Sequence, residues 1–97
     1  MSIPFEGGSP GLARAAEGQL AALADRLNAN SQERVQVNAY AEGDSPAAAK
    51  RLALSRALAV RAYLTERGIA ATRIDVRAVG PTDSGPRNRV DLLPAAR

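Results

Sequence analysis

The sequence predicts an α+β fold, a two-layer βαβαββ sandwich with two helices on one face of a mixed four-stranded sheet. Two long stretches repeat their apolar residues at helical spacing, and four short ones read as strands bounded by Gly, Pro or Asn. Alanine fills 21 positions, while Phe5, Tyr40 and Tyr63 are the only aromatic residues. The core must therefore be built from Leu, Val, Ile and Ala between closely approaching layers. At 97 residues and 45% hydrophobic content the chain forms one domain, residues 1–97, around a single core. Met1 stands so close to the first strand that the sequence reads as a domain excised from a longer protein.

Ser2 to Glu6, with Ile3-Pro4-Phe5 at its centre, gives a short first strand ended by Gly7-Gly8. Pro4 has no amide to donate to a ladder, which places this strand at an edge. Ser9-Pro10 supplies a cap and a proline at the first helical position, so the first helix is predicted to start there. Leu12, Ala16, Leu20, Leu23 and Leu27 then recur at helical steps until Asn28-Ala29-Asn30. Arg34 to Ala41 alternates, with Val35, Val37, Ala39 and Ala41 on one face and Gln36, Asn38 and Tyr40 on the other. After Glu42-Gly43-Asp44, Ser45-Pro46 repeats the cap-and-proline device. The second helix runs from there to Arg67, with Gly68 as its left-handed C-cap.

Arg73 to Val79 alternates again, with Ile74, Val76 and Ala78 inward, and stops at Gly80-Pro81. Thr82 to Pro86 is a polar turn, and Asn88 to Leu93 forms the last strand before Pro94. Along the second helix Ala49, Ala53, Ala57, Val60 and Leu64 make one narrow stripe, bordered by Leu52, Arg56 and Tyr63. Leu54 and Leu58 lie off its other flank. Such a pair is either a partner-binding ridge or, more commonly, packed against the neighbouring helix of the same layer, and the packed arrangement is the expectation.

The chain contains no Cys and no His. Disulfides and thiolate metal sites are excluded, and without the commonest general base and metal ligand, catalytic triads and zinc hydrolysis go with them. No cofactor is expected, and an enzyme is disfavoured. Glu42 and Asp44 are a carboxylate pair of the kind glycoside chemistry uses, but neighbouring loop acids more often sit at a solvated helix N-terminus. The net charge is +3, and 12 of the 13 cations are arginine. They are spread among ten acids with neither a basic run nor stacking aromatics, so nucleic acid is not the expected partner. No apolar run approaches the ~20 residues of a membrane span, and Met1-Ser2-Ile3 leads into Pro and Phe rather than into a signal sequence.

Arg56 is the side chain that stands out. On the border of an apolar stripe, its guanidinium would be stiffened by apolar neighbours while its donor fork faced outward. The strand ending Ala39-Tyr40-Ala41-Glu42-Gly43-Asp44 delivers two carboxylates to the turn before this helix. Arg56 opposite Glu42 or Asp44 suits a zwitterion, with the fork taking its carboxylate and an acid taking its ammonium. The same spacing equally describes a surface salt bridge, or an arginine covering apolar surface.

A Val-rich strand, a turn, Leu-x-x-x-Arg-Ala-x-x-Val-x-x-Tyr-Leu at 52–64, Gly68-Ile69, Arg73-Ile74, Gly80 and a terminal Asn88-Arg89-Val90-Asp91 together resemble the OmpA-like domain over nearly the whole chain. That domain is shared by OmpA C-terminal domains, Pal lipoproteins and MotB-type stator proteins. The resemblance implies a non-catalytic periplasmic domain, associated with the cell envelope, that holds peptidoglycan by the diaminopimelate of its stem peptide. It further implies that Arg56 takes a diaminopimelate carboxylate. The family's His-Thr-Asp strand end falls on Ala39-Tyr40-Ala41, so Ala41 stands where the binding aspartate is usual, and the helix-entry Asn falls on Ala49. The family's double arginine before Val is Asn88-Arg89 here, leaving Arg89 in register. Glu42 and Asp44 are the nearby carboxylates suited to the missing role. Three accounts stay open, in this order: ordinary peptidoglycan bound through Arg56 with Glu42 or Asp44, an altered glycan or peptide, or a protein-interaction or oligomerisation module with a protein partner or homodimer.

Overall fold

The computed structural model describes residues 1–95. Its elements are β1 (Ser2–Pro4), α1 (Arg14–Ala29), β2 (Val35–Tyr40), α2 (Pro46–Glu66), a 3₁₀ turn (Ala71–Arg73), β3 (Ile74–Gly80) and β4 (Arg89–Pro94). The sheet order is β1-β4-β2-β3, with β2 and β3 parallel and β4 antiparallel to both its neighbours. Pro4 lies in the outer strand β1, where a missing donor costs no ladder bond. The pleat sends Ile3, Val35, Val37, Ala39, Ile74, Val90 and Leu92 into the core beneath the helices. No helix among the described residues is long and apolar enough to cross a membrane.

The two cap-and-proline pairs behave differently. At α2 the Ser45 hydroxyl accepts the Ala48 amide at 3.1 Å, and Pro46 opens the helix as the sequence predicts. At α1 the prediction fails, because the helix begins at Arg14 behind Ala13, which makes no side-chain cap. A helix starting at Ser9 would need the Ser9 carbonyl for the amide of residue 13. That carbonyl instead accepts the Arg56 Nε–H at 2.8 Å, and the Ser9 hydroxyl folds back to the Gly11 amide at 3.3 Å.

The far end of α2 closes as predicted. Gly68 adopts φ +95°, its amide donates to the Thr65 carbonyl at 3.0 Å, and the Ile69 amide reaches Leu64 at 3.1 Å. The buried Ile69 side chain completes that stop against the core. Arg73, in a 3₁₀ turn that the strand pattern did not show, donates to the carbonyls of Leu27, Asn30 and Glu33 and so ties the end of α1 to the entry of β3.

Ala49, Ala53 and Ala57 are fully buried, and small side chains here let α2 lie close on β2 and β3. The approach is tightest at Gly43, where a Cβ would stand 2.7 Å from the Ala49 nitrogen. Leu52 and Tyr63 are partly buried and pack against the core. Leu54 and Leu58 turn the other way, 43% and 37% exposed, which corrects the expectation that they pack between the helices.

Two outcomes follow from this packing. Leu54→Glu and Leu58→Glu should each change the unfolding free energy by no more than about 0.5 kcal/mol, the range for surface positions, in urea titrations. Gly43→Ala should cost about 1–3 kcal/mol, since its neighbour is helix backbone that cannot rotate away. All three substitutions are read by the same titration.

Candidate functional site

The site lies where the C-terminal end of β2, the start of α2 and the turn between β3 and β4 meet. Strand alternation sets its depth. Ala41 follows Ala39 onto the helix side, is fully buried, and donates its amide to the Gly80 carbonyl at 2.9 Å. Glu42 comes next and points out to solvent. Beyond it the turn Gly43-Asp44-Ser45 leads into α2, and with Pro46, Pro81, Thr82, Asp83 and Arg87 it walls a hollow of about 300 Å³. Three acids and one arginine thus face one space.

Arg56 is placed differently from the sequence expectation. It is fully buried instead of standing at the border of solvent, because the segment between β1 and α1 covers it. Nε donates to the Ser9 carbonyl and Nη2 to the Glu6 carbonyl, each at 2.8 Å. Nη1 donates to the Tyr40 carbonyl at 3.1 Å and to the Asn88 Oδ1 at 2.8 Å. The Phe5 ring lies over the guanidinium, 5.1 Å from its carbon to the ring centre. Among the described residues no carboxylate lies within 4.0 Å of it. Desolvation of the cation pushes its pKa below the ordinary arginine value.

Asn88 connects this buried charge to the hollow. Its Oδ1 accepts from Arg56, and its Nδ2 donates to Glu42 Oε1 at 2.9 Å. Glu42 Oε2 then accepts from Arg87 Nη1 at 3.3 Å. The result is a chain of hydrogen bonds, Arg56 to Asn88 to Glu42 to Arg87, running from core to rim. Asp44 also lines the hollow, is exposed, and among the described residues has no ion-pair partner.

Arg89 does not join them. Its neighbour Val90 faces the core, so Arg89 emerges on the open face of the sheet, 4.1 Å above the Tyr40 ring and bonded to both oxygens of Asp91. Tyr40 contributes to the site through its carbonyl alone, its ring being turned to that same open face. Sequence reasoning missed Arg87 and Asn88 as members of the site. The alternation of β4 carried the signal for one of them: counting back from Val90 and Leu92 puts Asn88, not Arg89, on the helix side.

With this geometry established, known proteins can be compared. A family model described as the OmpA family matches residues 4–91. A search of curated proteins finds no match. Solved structures with the same fold include the peptidoglycan-associated lipoprotein of Burkholderia pseudomallei, at TM-score 0.87 and 21% identity over 97% of this chain and 89% of that one. The C-terminal domain of Helicobacter pylori MotB aligns at TM-score 0.84 and 15% identity, over 100% and 85%. The OmpA-like domain of a Francisella tularensis protein aligns at 0.82 and 19%, over 98% and 74%.

Asn88→Ala would strand one Arg56 donor and free the Glu42 carboxylate from its inner partner. The expected loss of stability is about 1–3 kcal/mol, the cost of an unsatisfied buried donor. A shift of the urea midpoint, with the slope unchanged, measures it.

Proposed function

Because this chain belongs to the OmpA family, we propose that it is a non-catalytic cell-wall-binding domain of the bacterial periplasm, holding peptidoglycan non-covalently by the diaminopimelate of the stem peptide. The observation that carries the reading is the hollow itself, in which the exposed Asp44 faces the same space as Arg87, with Arg56 two hydrogen bonds behind the wall. A diaminopimelate side chain ends in an ammonium and a carboxylate on one carbon, so it needs both signs of charge within a few ångströms. Asp44 takes the ammonium. Glu42 holds the wall through Asn88 and Arg87, Arg87 draws the carboxylate to the rim, and Arg56 receives it once its cover of backbone carbonyls is displaced.

The name of the Burkholderia protein, a peptidoglycan-associated lipoprotein, supports this reading. So does the absence of Cys and His from the chain, which removes the commonest general base and metal ligand. The partner is thus a cell-wall polymer and the location the cell envelope.

Co-sedimentation with purified sacculi is the direct test. The protein should pellet with sacculi of the diaminopimelate type and much less with those carrying lysine at that position, which lacks the side-chain carboxylate. Asp44→Asn and Arg87→Gln should each weaken binding about tenfold, equivalent to ~1.4 kcal/mol. A wild-type protein that stays in the supernatant at low salt, or variants that pellet equally well, would sink the proposal.

A further inference from the structure

Taking Arg56 as the carboxylate position of the peptidoglycan reading above, we infer that the chain closes the Nε/Nη2 edge of this side chain on itself with the segment Glu6 to Gly11, and that the ligand carboxylate enters by displacing this strap. The identity of the ligand rests on the peptidoglycan reading above; the latch rests on the geometry.

Nε–H and one Nη2–H leave the guanidinium side by side, and this pair is what a carboxylate grips with two oxygens. Here two separate carbonyl oxygens, of Ser9 and Glu6, stand in those places, both at 2.8 Å. The opposite end of the fork is committed to the body of the protein, through Tyr40 and Asn88. Neutral carbonyls satisfy the donors without neutralising the charge. A carboxylate would do both, so Arg56 itself gains from exchanging the strap for an anion, against the cost of desolvating that anion.

The strap is built to let go. Phe5 anchors one end, buried and with its amide bonded to the Asn88 carbonyl at 3.0 Å, and Leu12 anchors the other by packing on the core. Between them, among the described residues, the strap's own hydrogen bonds are internal, Ser9 to Glu6 and Gly11 to Ser9. Its two bonds to the rest of the protein are those to Arg56. Glu6, Gly7, Gly8, Pro10 and Gly11 are exposed, and nothing lies within 4 Å of a Cβ built on any of these three glycines. The strap therefore lifts by breaking two hydrogen bonds while both anchors stay in place.

Gly8 offers a way to bias it. Its φ is +78° in the closed strap, a conformation that a β-branched residue adopts only with strain, whereas Gly7 is not at positive φ. Gly8→Val should therefore favour the open strap about tenfold, and Gly7→Val, in equally open space, serves as the control. Hydrogen exchange of the Arg56 Nε–H, followed by nitrogen-15 NMR, should speed about tenfold in Gly8→Val and stay unchanged in Gly7→Val. A diaminopimelate-containing stem peptide should bind Gly8→Val more tightly than wild type by up to the same factor, since the closed strap lowers apparent affinity by the fraction it occupies. Unchanged Arg56 exchange in Gly8→Val overturns the latch, and so does faster exchange with unchanged peptide affinity. Should none of the three proteins pellet with sacculi or bind the peptide, the peptidoglycan reading falls by itself. Sodium acetate against equal sodium chloride then decides the latch: a shift of the Arg56 Nε–H resonance by acetate in Gly8→Val supports it, and no shift overturns it.

Discussion

The structure depends on a guanidinium that, among the described residues, reaches no carboxylate. From α2, Arg56 donates to carbonyls at Tyr40, Ser9 and Glu6 and to the Asn88 side chain, partners 16, 47, 50 and 32 residues away in sequence. One side chain thus pins the end of β2, the entry to β4 and the connection from β1 to α1 to the same helix. Taking a cation out of water is expensive unless its donors are met, and here four of the five N–H groups of an arginine are. The cost explains the constraint. Any other path that still covered the guanidinium would leave a charged donor buried without an acceptor.

That constraint also marks the limit of what local sequence could tell. Ser45-Pro46 and Ser9-Pro10 are the same signal, and only the first starts a helix, because the competing claim on the Ser9 carbonyl comes from a residue 47 positions away. Alternation in β2 placed Val35, Val37, Ala39 and Ala41 inward, and a period of two needs no tertiary information to be right. The helical stripe of α2 was legible in the same way. What periodicity cannot supply is which side of a border residue will be covered. Arg56 was legible as the important side chain but not as a buried one, since the cover is a glycine-rich connection without any pattern. Glu42 and Asp44 were placed at the correct turn, whereas Arg87 belongs to the site only because the Thr82–Pro86 turn folds back beside them.

Ala41 gains a physical meaning from the same arrangement. Its methyl group is part of the core, and its amide extends the pairing of β2 toward β3 through Gly80. An acid at this position would start from a buried location and need a partner of its own. One residue later the parity of the strand reverses, so Glu42 carries its carboxylate at the surface and reaches Arg56 only through Asn88. Negative charge therefore stands at the surface, and the acids face the hollow rather than the guanidinium.

Asn88 decides what that arrangement accomplishes. An acid in its place would neutralise Arg56 directly and leave no charge for anything else to recognise. An amide instead accepts from Arg56 with one end and donates to Glu42 with the other, satisfying both without transferring charge between them. The Arg56 cation is thereby held in position, hydrogen-bonded and uncompensated, under a cover of backbone carbonyls whose partial charges are the weakest acceptors that still meet its donors. On the latch proposed above, a carboxylate that displaces this cover supplies opposite charge as well as acceptors, against the cost of its own desolvation.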